Sequence, residues 1–376
     1  MIQEKRLVDE FIELVQVDSE TTFEKEISIV LKEKFAQLGL SVFEDDAEEK
    51  TEHGAGNLVA TLEATEGKED VSPIYFTCHM DTVAPGKGIK PQIDDDGYIR
   101  SDGTTILGSD DKTGIAVMFE LIRVLKEDKI PHGKIQFVIT VGEEAGLVGA
   151  CAFDPKHLEA SFGYALDSDG KVGEICVAAP FQTHVDVVIK GKTAHAGVSP
   201  EKGISAIQVA SKAISRMKLG RIDPETSANI GSFDGRGPRN VVSDKVVIVA
   251  EARSLVKEKM VNQVNEMRDA FYSVAEEFGA QVEFETEELP GFFFDETAPL
   301  VKLAMKSAEK IGRESKITHS GGASDANIFN GMDVPTVNLS VGYENIHTTA
   351  EQMPIEELVK SAELVLQIVK DVTDGE

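Results

Sequence analysis

Polar residues gather where apolar runs stop. The run ending at Cys78 leads into His79-Met80-Asp81, and the run 135–141 leads into Gly142-Glu143-Glu144. The run 162–166 leads into Asp167, and the run 336–341 leads through Gly342-Tyr343 to His347. A fifth group, Gly108-Ser109-Asp110-Asp111-Lys112, lies in a loop ahead of an amphipathic segment. Taken singly, each has a plain explanation: a capping Asp, a solvated Glu pair, a structural or exposed His. Together, two imidazoles and several carboxylates form an N/O donor set suited to zinc, cobalt or manganese, and the lack of thiolates suits a catalytic rather than a structural zinc. The three cysteines, Cys78, Cys151 and Cys176, are far apart and free of C-x-x-C spacing. They point to neither a disulfide framework nor a thiolate site.

These groups can meet only if the runs are strands of one sheet with their carboxyl ends along one edge, where open α/β sheets bind ligands. The runs Ile74-Tyr75-Phe76, 135–139, 162–166 and Val337-Asn338-Leu339 are too short for helices and rich in strand formers. Helical periodicity separates them. It places Leu7, Phe11, Leu14 and Val15 on one face of residues 3–17, and Ile27, Val30, Leu31, Phe35 and Leu38 on one face of 23–39. Further helices are expected over 113–128, with Met118, Leu121, Ile122 and Leu125 on one face, and over 354–373. This alternation predicts an α/β fold with a mixed, mostly parallel sheet flanked by helices.

From 181 to 289 the pattern changes to strand, helix, strand, strand, helix, strand, with Val185, Val187 and Ile189 alternating in the first strand and Val282 and Phe284 in the last. That is the order of a ferredoxin-like α+β unit. Its second helix carries Met260, Val264, Met267, Phe271, Val274 and Phe278 at spacings of four and three, a core stripe. The expected organisation is a catalytic domain from 1–180 and 290–376, interrupted by an inserted lid or dimerisation domain at 181–289. A chain of 376 residues suits two domains.

The formal charge of −28 argues against nucleic-acid or anionic-membrane partners, which require a basic face. No stretch approaches the roughly 20 apolar residues of a membrane span, and Met1-Ile2-Gln3-Glu4-Lys5-Arg6 leads into an amphipathic pattern, so a cytoplasmic protein is expected.

In order and spacing, His79-Met80-Asp81-Thr82-Val83, Gly108 to Gly114, Gly142-Glu143-Glu144-Ala145-Gly146, Ala165-Leu166-Asp167 and His347 resemble the di-zinc exopeptidase family. That family includes peptidase T, glutamate carboxypeptidase, succinyl-diaminopimelate desuccinylase and the aminoacylases. The resemblance spans nearly the whole chain, and the aminotripeptidase branch is nearest. It implies two divalent ions, zinc foremost with cobalt or manganese as alternatives. His79 and Asp167 would hold one ion and Glu144 and His347 the other, with Asp110 bridging both. Asp81 would orient His79, and Glu143 would act as general base. Adjacent glutamates can take different roles only if the backbone bends after the strand, which Gly142 and Gly146 would permit.

The resemblance also implies roles in the inserted domain. His195, in Gly191-Lys192-Thr193-Ala194-His195-Ala196-Gly197, would stabilise the oxyanion, often in the partner subunit of a homodimer, although by itself it reads as an exposed loop residue. Asn229 and Arg253 would grip a substrate carboxylate, while a surface ion pair is the competing reading of Arg253. Gly321-Gly322-Ala323-Ser324-Asp325 resembles a loop near the substrate, with Ala-Ser where Gly-Thr is common. The implied activity is hydrolysis of short peptides, tripeptides above all, from the amino end. Within the family an N-acyl-amino-acid deacylase or a carboxypeptidase is the alternative. A non-catalytic metal-binding homologue is a third reading, disfavoured because such a protein has no use for Glu143.

Overall fold

The computed structural model describes residues 1–375. Strands Ile74–His79 and Ile135–Thr140 are buried at every position. Strands without a polar face must be covered on both sides, as in the interior of a parallel sheet. Ile74–His79 lies between Ile135–Thr140 and Phe162–Ser168 and runs parallel to both. Phe162–Ser168 is in turn parallel to Thr336–Ser340. Outside this run the nine-stranded sheet turns antiparallel, at Leu58–Leu62 and Ser41–Glu44 on one side and at Glu174–Ala179 on the other.

Alternation along the strands separates two apolar layers. Phe76 stacks between Phe137 and Tyr164 in the larger core. Their neighbours Tyr75 and Val138 point the other way and pack with Phe153 and with Phe329 of helix Asp325–Gly331. Helix Ser109–Glu127 crosses between the two central strands and packs against Glu4–Val15 and Ile355–Asp374. It is buried nearly all round rather than on the single face that its periodicity predicts, because sheet and helices enclose it. Its first turn is irregular: Asp110 and Asp111 have non-helical backbone angles, and Gly108 precedes them at φ 76°. A three-stranded sheet of Gln92–Ile93, Tyr98–Arg100 and Gln352–Pro354 was not foreseen, since strands this short carry no readable period.

The chain forms two compact units. One comprises Met1–Ala178, Phe293–Ser320 and residues 324–375, and the other Ala179–Phe292 with Gly321–Ala323. In the second unit the antiparallel order is Gly220–Arg221, Thr226–Asp234, Lys245–Ser254, Phe181–Lys190 and Gln281–Leu289. The four long strands therefore lie in the ferredoxin-like order that the sequence pattern predicts. Helices Ala206–Ser215 and Lys257–Phe278 cover one face through Val187, Ile189, Ile248, Met267 and Phe271. Among the described residues no helix is long and apolar enough to cross a membrane.

Candidate active site

Because the four central strands are parallel, their carboxyl ends fall on one edge. His79 is the last residue of Ile74–His79, and Asp167 is next to last in Phe162–Ser168. Glu143 and Glu144 follow Thr140, and His347 lies in the loop after Thr336–Ser340. Helix Ser109–Glu127 starts at the same edge and brings Asp110.

Asp110 stands between the two imidazoles. Its Oδ1 is 3.0 Å from His79 Nε2, and its Oδ2 is 3.2 Å from His347 Nε2. His79 Nε2 also faces Asp167 Oδ1 at 3.8 Å, and His347 Nε2 faces Glu144 Oε1 at 2.8 Å. His79 is buried, whereas the His347 side chain is 48% exposed, so the site opens on the His347 side. The five residues expected to hold metal thus come together, with the carboxylate expected to bridge in the middle.

Asp81 does more than was expected of it. The nearest acceptor for His79 Nδ1 is the Asp81 main-chain carbonyl at 3.0 Å, while the carboxylate Oδ1 stands at 3.4 Å. That carboxylate accepts the N–H groups of Glu143 at 3.0 Å and Glu144 at 3.3 Å, and the Thr21 hydroxyl at 2.8 Å. One side chain therefore touches His79 and pins the turn that carries both glutamates. The turn bends as the glycines predict: Gly142 has φ 57°, Gly146 has φ 99°, and the Leu147 N–H donates to the Glu143 carbonyl at 2.8 Å.

The donor chemistry fits divalent ions. Two groups, His79/Asp111/Asp167 and His79/Asp110/Glu144, each bring one ligand atom per residue within 4.8 Å of one another. Nitrogen and carboxylate oxygen at this proximity are what zinc and its neighbours bind. The charge balance points the same way. Burial, reinforced by nearby carboxylates, holds Asp111, Glu143 and Asp167 well above the usual carboxylate range. Hydrogen bonds to Asp110 and Glu144 push His347 up to about 10. Burial alone would lower His79, yet Asp110 and Asp81 hold it well above the usual histidine value. Carboxylates packed this closely call for positive charge beside them, which divalent cations would supply. The buried Asp111 Oδ2, moreover, has no hydrogen-bond partner.

Several residues at the site have contacts that the sequence reading does not assign. Asp111 enters one ligand group although only its neighbour Asp110 was singled out. The Tyr343 hydroxyl donates to Asp167 Oδ1 at 3.0 Å, and the Asn338 side chain bonds both the N–H and the carbonyl of Asp167. The buried Lys112 ammonium donates to Ser19 Oγ and to the Met80 carbonyl, and burial pulls its pKa down to about 8. Asp325 is buried with Oδ1 unpartnered, and burial pushes it up to about 6. Each acts across a long sequence interval, so no local pattern announces it.

The three residues expected in the inserted domain lie in the second unit. His195 is exposed, and its Nδ1 accepts the Gly197 N–H at 3.2 Å. Asn229 is exposed and pairs in register with Glu251. Arg253 forms a two-point ion pair with Glu251 at 3.0 and 2.8 Å, which is the competing reading of that residue.

The model of Peptidase family M20/M25/M40 matches residues 75–371. The protein YqjE of Bacillus subtilis (strain 168) is 59% identical over 372 residues, 99% of each chain. Among solved structures, the aminopeptidase PepT of Bacillus cereus ATCC 10987 is 60% identical with a TM-score of 0.91, covering 99% of both chains. A tripeptidase of Staphylococcus aureus subsp. aureus Mu50 is 50% identical with a TM-score of 0.94, covering 100% of both.

Proposed function

The chain belongs to peptidase family M20/M25/M40, and from that membership we propose that it removes the amino-terminal residue from short peptides, tripeptides foremost. The observation that carries this reading is the Asp110 carboxylate, one oxygen at His79 and the other at His347, with Glu143 on the turn beside them. The similarity to an aminopeptidase and to a tripeptidase over the full chain supports the choice of substrate. His79, Asp110, Glu144, Asp167 and His347 would hold two divalent ions, and the nitrogen and oxygen donors favour zinc. Bound there, the ions would supply Lewis-acid polarisation of the scissile carbonyl and a water acidified toward neutral pH.

The side chains supply the rest. Glu143 takes a proton from the attacking water and returns it to the departing amine, while Glu144 faces His347 and serves as ligand. Asp81 holds both in register through their N–H groups. Because the Gly197 N–H donates to His195 Nδ1, the neutral His195 ring carries its proton on Nε2, ready to donate to an oxyanion. Asn229 would assist with the substrate carboxylate, and Arg253 would have to exchange Glu251 for it. A homodimer through the inserted unit is part of this reading. So is a cytoplasmic setting, which fits three cysteines, Cys78, Cys151 and Cys176, spaced far apart in the sequence.

The test is hydrolysis of tripeptides, amino-blocked tripeptides and N-acetyl amino acids by zinc-reconstituted protein, with product termini identified. Free tripeptides should lose their first residue, and blocking the amine should suppress cleavage. Turnover of N-acetyl amino acids with tripeptides left intact would refute the aminopeptidase reading.

A further inference from the structure

Glu351 is 2% exposed, and among the described residues the hydrogen bonds its carboxylate accepts all come from the segment that delivers Asp110. Its Oε2 accepts the N–H groups of Leu107 at 2.8 Å and Gly108 at 2.9 Å. Its Oε1 accepts the Ser109 hydroxyl at 2.6 Å and the N–H of Asp110 itself at 3.1 Å. Four donors on one side chain account for its four principal lone-pair directions. The cradled backbone needs such an anchor: Gly108 sits at φ 76°, and Asp110 and Asp111 depart from helical angles, so the ordinary helix ladder does not fix them.

Glu351 also stands four residues after His347, and its N–H donates to the Thr348 carbonyl at 3.1 Å. The segment bearing the exposed imidazole and the segment bearing the central carboxylate are therefore joined through one side chain across 241 residues. Burying a carboxylate is expensive, and a purely structural clip between two loops could be made from apolar side chains instead.

We infer that Glu351 is a positioning residue which fixes Asp110 relative to His347 and so sets the spacing of the two metal sites. The inference rests on the metallopeptidase reading of Asp110 and His347. Glu351→Gln retains one carbonyl oxygen but turns an NH₂ group toward two of the four donors. Asp110 should then lose its bridging placement while the ligand atoms themselves remain.

The experiment titrates metal-free protein with Zn²⁺ by calorimetry and with Co²⁺ by visible absorption, comparing wild type, Glu351→Gln, Ser109→Ala and Asp110→Ala. Wild type should take up two ions per chain. Glu351→Gln should bind the second ion about 10- to 100-fold more weakly, the range for losing an outer partner of a metal ligand. Its Co²⁺ spectrum should be altered, while the metal-free variant melts within a few degrees of wild type. Equal affinity for both ions and an unchanged spectrum in Glu351→Gln would overturn the inference. If that variant fails to fold, Ser109→Ala decides: a several-fold loss for the second ion supports the positioning role, and wild-type binding refutes it. A wild type that binds fewer than two ions, or an Asp110→Ala variant that binds both normally, would instead overturn the metal reading and this inference with it.

Discussion

Glu143 and Glu144 are the same amino acid in adjacent positions, yet their surroundings differ. Glu144 Oε1 lies 2.8 Å from the His347 ring, whereas Glu143 is tied to the site through its N–H on Asp81. Glu143→Gln should therefore lower kcat by about 10² to 10⁴, the usual value of a positioned acid–base group, and leave two ions bound. Glu144→Gln should lose ion affinity first. Steady-state rates beside metal analysis check both, and the assignment fails if Glu143→Gln sheds metal or keeps its rate. At this scale the proposed ligands and base could be picked out because His79, Glu143-Glu144, Asp167 and His347 each follow an apolar run that ends at the same sheet edge. Tyr343, Lys112 and Glu351 were not, because their side-chain partners lie 176, 32 and 93, and 241 or more residues away and only the fold makes them neighbours. Asp81 was half legible: its nearness to His79 was expected, its hold on the next strand's turn was not.

The element that turns this edge into a site is the bend after Ile135–Thr140. A Cβ on Gly142 would come within 2.5 Å of His53 Nε2 and of Val148 Cγ2, at a φ of 57° that already disfavours a side chain. A Cβ on Gly146 would meet nothing within 4 Å, although its φ of 99° is also left-handed. Strain of this kind is worth about 1–3 kcal/mol, and only Gly142 adds a collision. Gly142→Ala should lower the melting temperature more than Gly146→Ala and depress kcat with it, since the bend carries both glutamates. Equal losses in the two variants, measured by thermal melting and peptide hydrolysis, would contradict this account. Elements long enough to show a period, such as Lys257–Phe278 and the all-apolar central strands, were readable in advance. The two- and three-residue strands of the small sheet and the irregular start of Ser109–Glu127 were not, because contacts made after folding determine them.

For the molecule as a whole, the two units keep separate cores: Phe76, Phe119 and Phe137 with their neighbours in one, and Val187, Met267 and Phe271 in the other. All the proposed metal ligands belong to the first unit, since they fall within residues 1–178 and 324–375. An ion that binds only the folded state stabilises what it binds by about 4 kcal/mol at a thousandfold excess over its Kd. Zinc should therefore raise one calorimetric transition of the metal-free protein and leave the other in place. Phe271, fully buried in the second core, supplies the reciprocal test. Truncation to Ala removes an aromatic ring worth about 3–5 kcal/mol, so Phe271→Ala should lower only the transition that zinc does not move. Should zinc and Phe271→Ala act on the same transition, the units unfold together and the separate cores do not amount to separate stabilities. Should zinc move neither, the carboxylates at the strand ends are not a metal site, and the charge they share must be balanced by protons alone.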